Sequence, residues 1–126
     1  MARLFFLLGA LLAALSVAMG AYGAHTNAYD EVQSLWVEKA TYYQMIHSLA
    51  LIITALVINN KRLFMWQAVS AGWCFLGGII SFSGSLYAMA FFTIDAGYIT
   101  PLGGILFIFG WLLLALAGPG VVKSRR

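Results

Sequence analysis

The sequence predicts an all-α fold: a four-helix transmembrane bundle, both termini cytoplasmic, with a short amphipathic outer helix between spans one and two. Three observations predict it. The 126 residues are 63% hydrophobic and 9% charged, with a mean hydropathy of +0.92, a balance that does not suit a soluble domain of this size. Charges and turn residues divide the chain into four apolar runs, each near or above the ~17 to 25 residues a helix needs to cross a bilayer. Finally, Lys and Arg gather on one side of those runs. Helices are preferred to a barrel because the runs are apolar on all sides, whereas barrel strands alternate apolar and polar residues.

The first span runs from Leu4 to Ala24. Arg3, the apolar stretch to Ala18 and the small Gly23 and Ala24 also fit a cleaved signal peptide. Small residues at helical spacing, Gly9, Ala13, Ser16, Gly20 and Ala24, favour a retained span, because they form a smooth face that another helix can approach. From Thr26 to Ala40 the chain is amphipathic: Val32, Leu35, Trp36 and Lys39 share one helical stripe, and Asp30, Glu31, Ser34 and Glu38 face elsewhere. This reads as a short helix on the outer surface, an ordered connector running into the second span, with Trp36, Tyr22, Tyr42 and Tyr98 at headgroup level and Trp66 at the opposite face.

The second span runs from Thr41 to Ile58, and Asn59, Asn60, Lys61 and Arg62 make a tight link that forces its successor to be an antiparallel neighbour. The third, Phe64 to Phe92, repeats the small-residue stripe with Ser70, Cys74, Gly77, Ser81, Gly84 or Ser85, and Ala88. The fourth, Pro101 to Val122, opens with Thr100 placed to cap free amides and Pro101 in the first turn. It carries Gly103, Gly104 and Gly110, and frays at Gly118, Pro119 and Gly120. The small faces are expected to pack within one chain, with a dimer or partner face as the alternative.

Arg3, Lys61, Arg62, Lys123, Arg125 and Arg126 fall on one side of the membrane, which makes that side cytoplasmic. The other side carries Asp30, Glu31, Glu38 and Asp95, with Lys39 as its only cation. These cations flank apolar runs and form no patch interleaved with aromatics, so no nucleic-acid partner is expected. Cys74 is the only cysteine, which excludes an intramolecular disulfide. With two histidines and no intramembrane carboxylate, no metal site and no cofactor is expected, haem included. There is no phosphate loop, nucleophile elbow, acid–base pair or charged relay, so neither enzyme nor channel chemistry has positive support.

Placed by depth, the polar groups gather in the outer half: His25 at the end of span one, Tyr43, Gln44 and His47 in span two, Ser81, Ser83, Ser85 and Tyr87 in span three, and Thr100 opening span four. The inner half is almost purely apolar. Tyr43, His47 and Thr54 share one helical face, with Gln44 beside it. His47 lies roughly 9 Å along the helix from Thr41, below the interface, and needs a partner there. Tyr87, Ser83 and Ser85 are the candidates.

Five stretches carry a family resemblance: Gly20-Ala21-Tyr22-Gly23-Ala24-His25, Tyr43-Gln44-Met45-Ile46-His47-Ser48-Leu49-Ala50-Leu51, Phe82-Ser83-Gly84-Ser85-Leu86-Tyr87, Ile99-Thr100-Pro101-Leu102-Gly103-Gly104, and Gly110-Trp111. In this order they resemble the small four-span membrane proteins of domain-of-unknown-function family 423. The resemblance implies a small bacterial inner-membrane or related protein with no established biochemical role. It marks His25, Gln44, His47, Ser83, Gly84, Ser85, Tyr87, Thr100, Pro101 and Gly103 as motif residues. Thr26-Asn27 stands where Gly-Leu is expected, and Ile46 where an aromatic is frequent.

Two functions are expected from these readings. The first is a non-enzymatic accessory or assembly protein that uses its smooth faces or outer helix against a larger membrane complex, or against a second copy as a homo-oligomer. The alternative is a binding module. In it His25, Tyr43, Gln44, His47, Ser83, Ser85, Tyr87 and Thr100 line an outer-half pocket for a lipid, quinone or small solute.

Overall fold

The computed structural model describes residues 1–26, 28–60 and 65–118. Asn27, the predicted link at Lys61 and Arg62, the predicted start of span three at Phe64, and everything from Pro119 through Val122 to the C-terminal cations lie outside them. The described residues form five α-helices and no strand: α1 Ala2–His25, α2 Glu31–Asn59, α3 Met65–Gly78, α4 Gly84–Phe92 and α5 Thr100–Ala117. A π-helical turn, Ile79–Ser83, joins α3 to α4 as one rod. That leaves four helices long and apolar enough to cross a membrane.

The amphipathic stretch is the first part of α2, continuous with the second span over 29 residues. A capping box starts it: the Gln33 amide donates to the Asp30 carboxylate at 2.7 Å, and the Asp30 amide donates to Gln33 Oε1 at 3.1 Å. The face it turns to the bundle carries Val37 and Ala40, both buried, whereas Val32 and Leu35 of the amphipathic stripe stay about half exposed, at 52% and 49%. Side-chain contacts fix that face, since Val37 meets Gly23 of α1 and Gln33 Nε2 donates to the Ala90 carbonyl of α4 at 3.2 Å.

α1 lies along α2 through small residues. A Cβ on Gly9 would come within 2.8 Å of the Ser48 carbonyl and of Ile52, and Ser16 Oγ donates to the Thr41 carbonyl at 2.7 Å. Half-buried Ala13 lies between them. Beyond Ser16 the contact passes through Gly23, because the helix has rotated past Gly20, whose Cβ would meet open space, and past the exposed Ala24. At the other end of α1, Phe5 is fully buried over Gly72 of α3.

The packing of α5 on the third span is a ladder of phenylalanines seated on glycines. Phe75 of α3 covers Gly110, Phe107 of α5 covers Gly78, and Phe82 of the π turn presses its backbone on Gly103. The three pairs step in opposite directions along the two helices, as an antiparallel register requires. Without a hydrophobic force between helices in lipid, such close van der Waals seating is what holds them together. Of the stripe read from the sequence, Ser70, Cys74, Gly77, Ser81, Gly84 and Ala88 are half-buried, and Ser85, the alternative to Gly84, is buried. The buried face is instead Phe75, Gly78 and Ile79, then Ser83, Leu86 and Ala90, because the wider π turn changes the helical phase between α3 and α4.

Two further placements differ from the sequence reading. Thr100 does not cap α5, since it sits one residue inside the helix after Ile99, and its hydroxyl reaches Ser85 instead. Gln67, near the start of α3, is buried at 8% exposure with no partner for Oε1, so the half of the bundle near Met1 is not purely apolar.

The glycine seats predict opposite outcomes for two alanine substitutions. In Gly103→Ala the new methyl meets Phe82 backbone, which cannot swing aside, so thermal unfolding in detergent should show a loss of about 1 to 3 kcal/mol. Gly20→Ala meets nothing and should be neutral or stabilising by up to about 1 kcal/mol.

Candidate functional site

α2 is the element that presents the polar residues, and it sends them in two directions. Gln44 turns toward α1 and α4: its Nε2 donates to the Leu12 carbonyl at 2.8 Å, and its Oε1 accepts from the Tyr87 hydroxyl at 2.9 Å. One amide, 2% exposed, thus ties three helices together. Ser83 Oγ donates to the Ala40 carbonyl at 2.8 Å, and Ser85 Oγ lies 2.6 Å from Thr100 Oγ1, tying α4 to α5. Ser81 spends its hydroxyl on the Gly77 carbonyl one turn back. These hydroxyls and the amide are consumed by helix-to-helix or local bonds, so Gln44, Ser83, Ser85, Tyr87 and Thr100 act as glue between spans.

His47 faces the other way, toward α5. Its Nδ1 lies 2.7 Å from the Tyr43 carbonyl, and the Trp111 indole N–H donates to its Nε2 at 3.2 Å. A carbonyl can only accept, so Nδ1 carries the hydrogen and Nε2 keeps its lone pair for the indole. Both ring nitrogens are satisfied and the imidazole is neutral. The expected partners Tyr87, Ser83 and Ser85 do not reach it, because their own bonds lead to Gln44, Ala40 and Thr100.

Aromatic rings surround the imidazole. Phe107 stacks on it with centroids 3.4 Å apart and planes 8° from parallel, and Phe75 lies 5.8 Å away. Tyr43 is parallel to His47 at 6.0 Å and packs on Phe82 at 4.6 Å. The ladder that seats Phe75, Phe82 and Phe107 on glycines therefore also builds the wall around His47.

A lateral groove of about 600 Å³ opens between α2 and α5, whose backbones stand apart and which meet through the side chains of Tyr43, His47, Phe107 and Trp111. Tyr42, Tyr43, Ile46 and His47 form one side and Pro101, Gly104, Ile105, Phe107, Ile108 and Trp111 the other, with Phe82 between. None of these lining residues is charged. Of the eight residues expected to share a pocket, only Tyr43 and His47 line this groove. His25 is exposed at the end of α1.

Trp111, Phe107 and Phe82 complete the site without having been singled out as site residues. A signal for two of them lay in the repeated Phe-x-x-Gly spacing, Phe75 to Gly78 and Phe107 to Gly110, with Trp111 one turn beyond Phe107. Among the described residues no three of His, Cys, Asp and Glu come together as a metal site.

A family model described as "protein of unknown function (DUF423)" matches residues 19–104. The chain belongs to this family. A UPF0382 membrane protein of Staphylococcus aureus is 46% identical over 120 residues, which cover 91% of this chain and 94% of the relative. A UPF0382 membrane protein of Staphylococcus epidermidis is 44% identical with the same coverage, and one of Staphylococcus saprophyticus is 42% identical over 90% of this chain and 95% of its own. No solved structure matches. The DUF423 match contains the Gln44–Tyr87 link and His47, while Phe107 and Trp111 lie beyond it.

The link predicts an asymmetry. Tyr87→Phe leaves Gln44 Oε1 without a donor inside the bundle and should cost about 0.6 to 2 kcal/mol in thermal unfolding. Adding Gln44→Leu should give less than the sum of the two single losses, which a double-mutant cycle measures.

Proposed function

We propose that this membrane protein is a non-enzymatic binding module that holds an amphiphile from the lipid phase side-on in the groove between α2 and α5. The observation that carries the reading is the groove itself. At about 600 Å³ it falls within the size range of small-ligand sites, and it is mostly apolar and aromatic with few polar groups, as such sites are. The hydrogen-bonded network on the opposite side of α2 supports rigidity rather than access. The cation distribution supports cytoplasmic termini, in which case the groove lies in the outer half of the cell (inner) membrane.

Gly104 supplies a test that spares the fold, because a Cβ there would touch only the Phe82 ring, at 3.9 Å. Gly104→Leu should fill the groove and leave thermal stability near that of the parent protein. Mass spectrometry of both proteins in native nanodiscs should find a small lipid-phase molecule enriched with the parent and absent from Gly104→Leu. A stoichiometric protein partner with no enriched small molecule would replace this reading with that of an accessory subunit.

A further inference from the structure

We propose that the groove selects a neutral amphiphile by a hydroxyl on its head, with His47 Nε2 as the acceptor and the Trp111 indole as the protein's own stand-in for that hydroxyl. This deepens the binding reading above and rests on it. The tautomer sets what the imidazole can recognise. Nδ1–H is committed to the Tyr43 carbonyl at 2.7 Å, so Nε2 offers a lone pair and nothing else. A head that brings only acceptors, such as a ketone, ester or ether, has no use for it.

Charge narrows the class further. No Lys, Arg, Asp or Glu lines the groove, so a phosphate or ammonium head would be left unpaired in a low-dielectric site. Among neutral donor heads, the O–H of an alcohol or a phenol makes a shorter bond to that lone pair than an amide N–H, and it is the head assigned to the groove.

The indole behaves as a replaceable partner. Its bond to Nε2 is 3.2 Å, the long end of the usual range, and it spans two helices whose backbones stand apart. Trp111 is 42% exposed on the groove rim, and besides His47 its ring meets Phe75 edge-on at 5.1 Å, the ring contact it gives up when it turns outward along α5. An entering hydroxyl then makes a shorter bond to the same lone pair, and the Phe107 and Tyr43 rings flank its carbon skeleton.

The test uses the full chain in nanodiscs with Trp36→Phe, Trp66→Phe and Trp73→Phe, so that only Trp111 emits. Nonylphenol and dodecanol are titrated beside their O-methyl ethers, which match them in shape but lack the donor. The hydroxyl probes should shift Trp111 emission and bind roughly three- to thirtyfold more tightly than the ethers. A preference for the phenol points to an aromatic-headed lipid and one for the alcohol to an acylglycerol-like lipid, and both support the proposal. In Trp111→Phe, followed by calorimetry, the hydroxyl probes should bind more tightly still, because the competing indole is gone. Ethers that bind as well as the hydroxyl probes, or weaker hydroxyl binding in Trp111→Phe, would overturn the hydroxyl assignment and leave the groove reading standing. Absence of binding by every probe, in the parent and in Gly104→Leu alike, would remove both.

Discussion

The structure depends on one constraint of the bilayer: apolar side chains gain nothing by leaving lipid for one another, so helices hold together only where atoms meet closely. This chain meets it by seating phenylalanine rings on glycine backbones. The rings of Phe75 on Gly110 and of Phe107 on Gly78, with the backbone of Phe82 against Gly103, fix both the separation and the register of α5 against the third span. Because α5 is held there, it stands off α2, and the groove is the space left over. The same rings form the surroundings of His47, so packing and site are one set of contacts.

Hydrogen bonds supply what dispersion alone lacks, namely direction. Gln44 specifies three helices at once, and Ser16, Ser83 and Ser85 each tie one span to the next. Each such bond contributes only about 0.6 to 2 kcal/mol in a membrane, but a wrong register would strand the polar group in apolar surroundings. His47 differs in facing α5, where Phe107 stacks on it and Trp111 donates to it beside the groove.

The spans were legible in the sequence because a bilayer demands long uncharged runs, and Arg3, Asp30, Lys39 and Asn59 punctuate them without ambiguity. The polar half was legible for the same reason, since Gln44, His47 and Tyr87 are exceptions in apolar runs. The partners of those residues were not. Tyr87, Ser83 and Ser85 were the expected partners of His47, yet they bond Gln44, the Ala40 carbonyl and Thr100, and the π turn at Ile79–Ser83 that changes the helical phase there is announced by no residue in that stretch. Trp111 stood out only within the Gly110-Trp111 stretch, and its place beside His47 exists only through the register that the glycine seats impose. Thr100 shows the same limit on a smaller scale, where one residue of boundary shift turns a cap into a cross-span hydrogen bond.

Solid-state NMR in bilayers, with labels on phenylalanine ring carbons and glycine α-carbons, reads the ring-on-glycine register. Close correlations of Phe107 with Gly78, Phe75 with Gly110 and Phe5 with Gly72 are expected, all in one sample. Correlations displaced by a helical turn, or an α5 whose rings meet α2 in place of the third span, would contradict it and close the groove along with it.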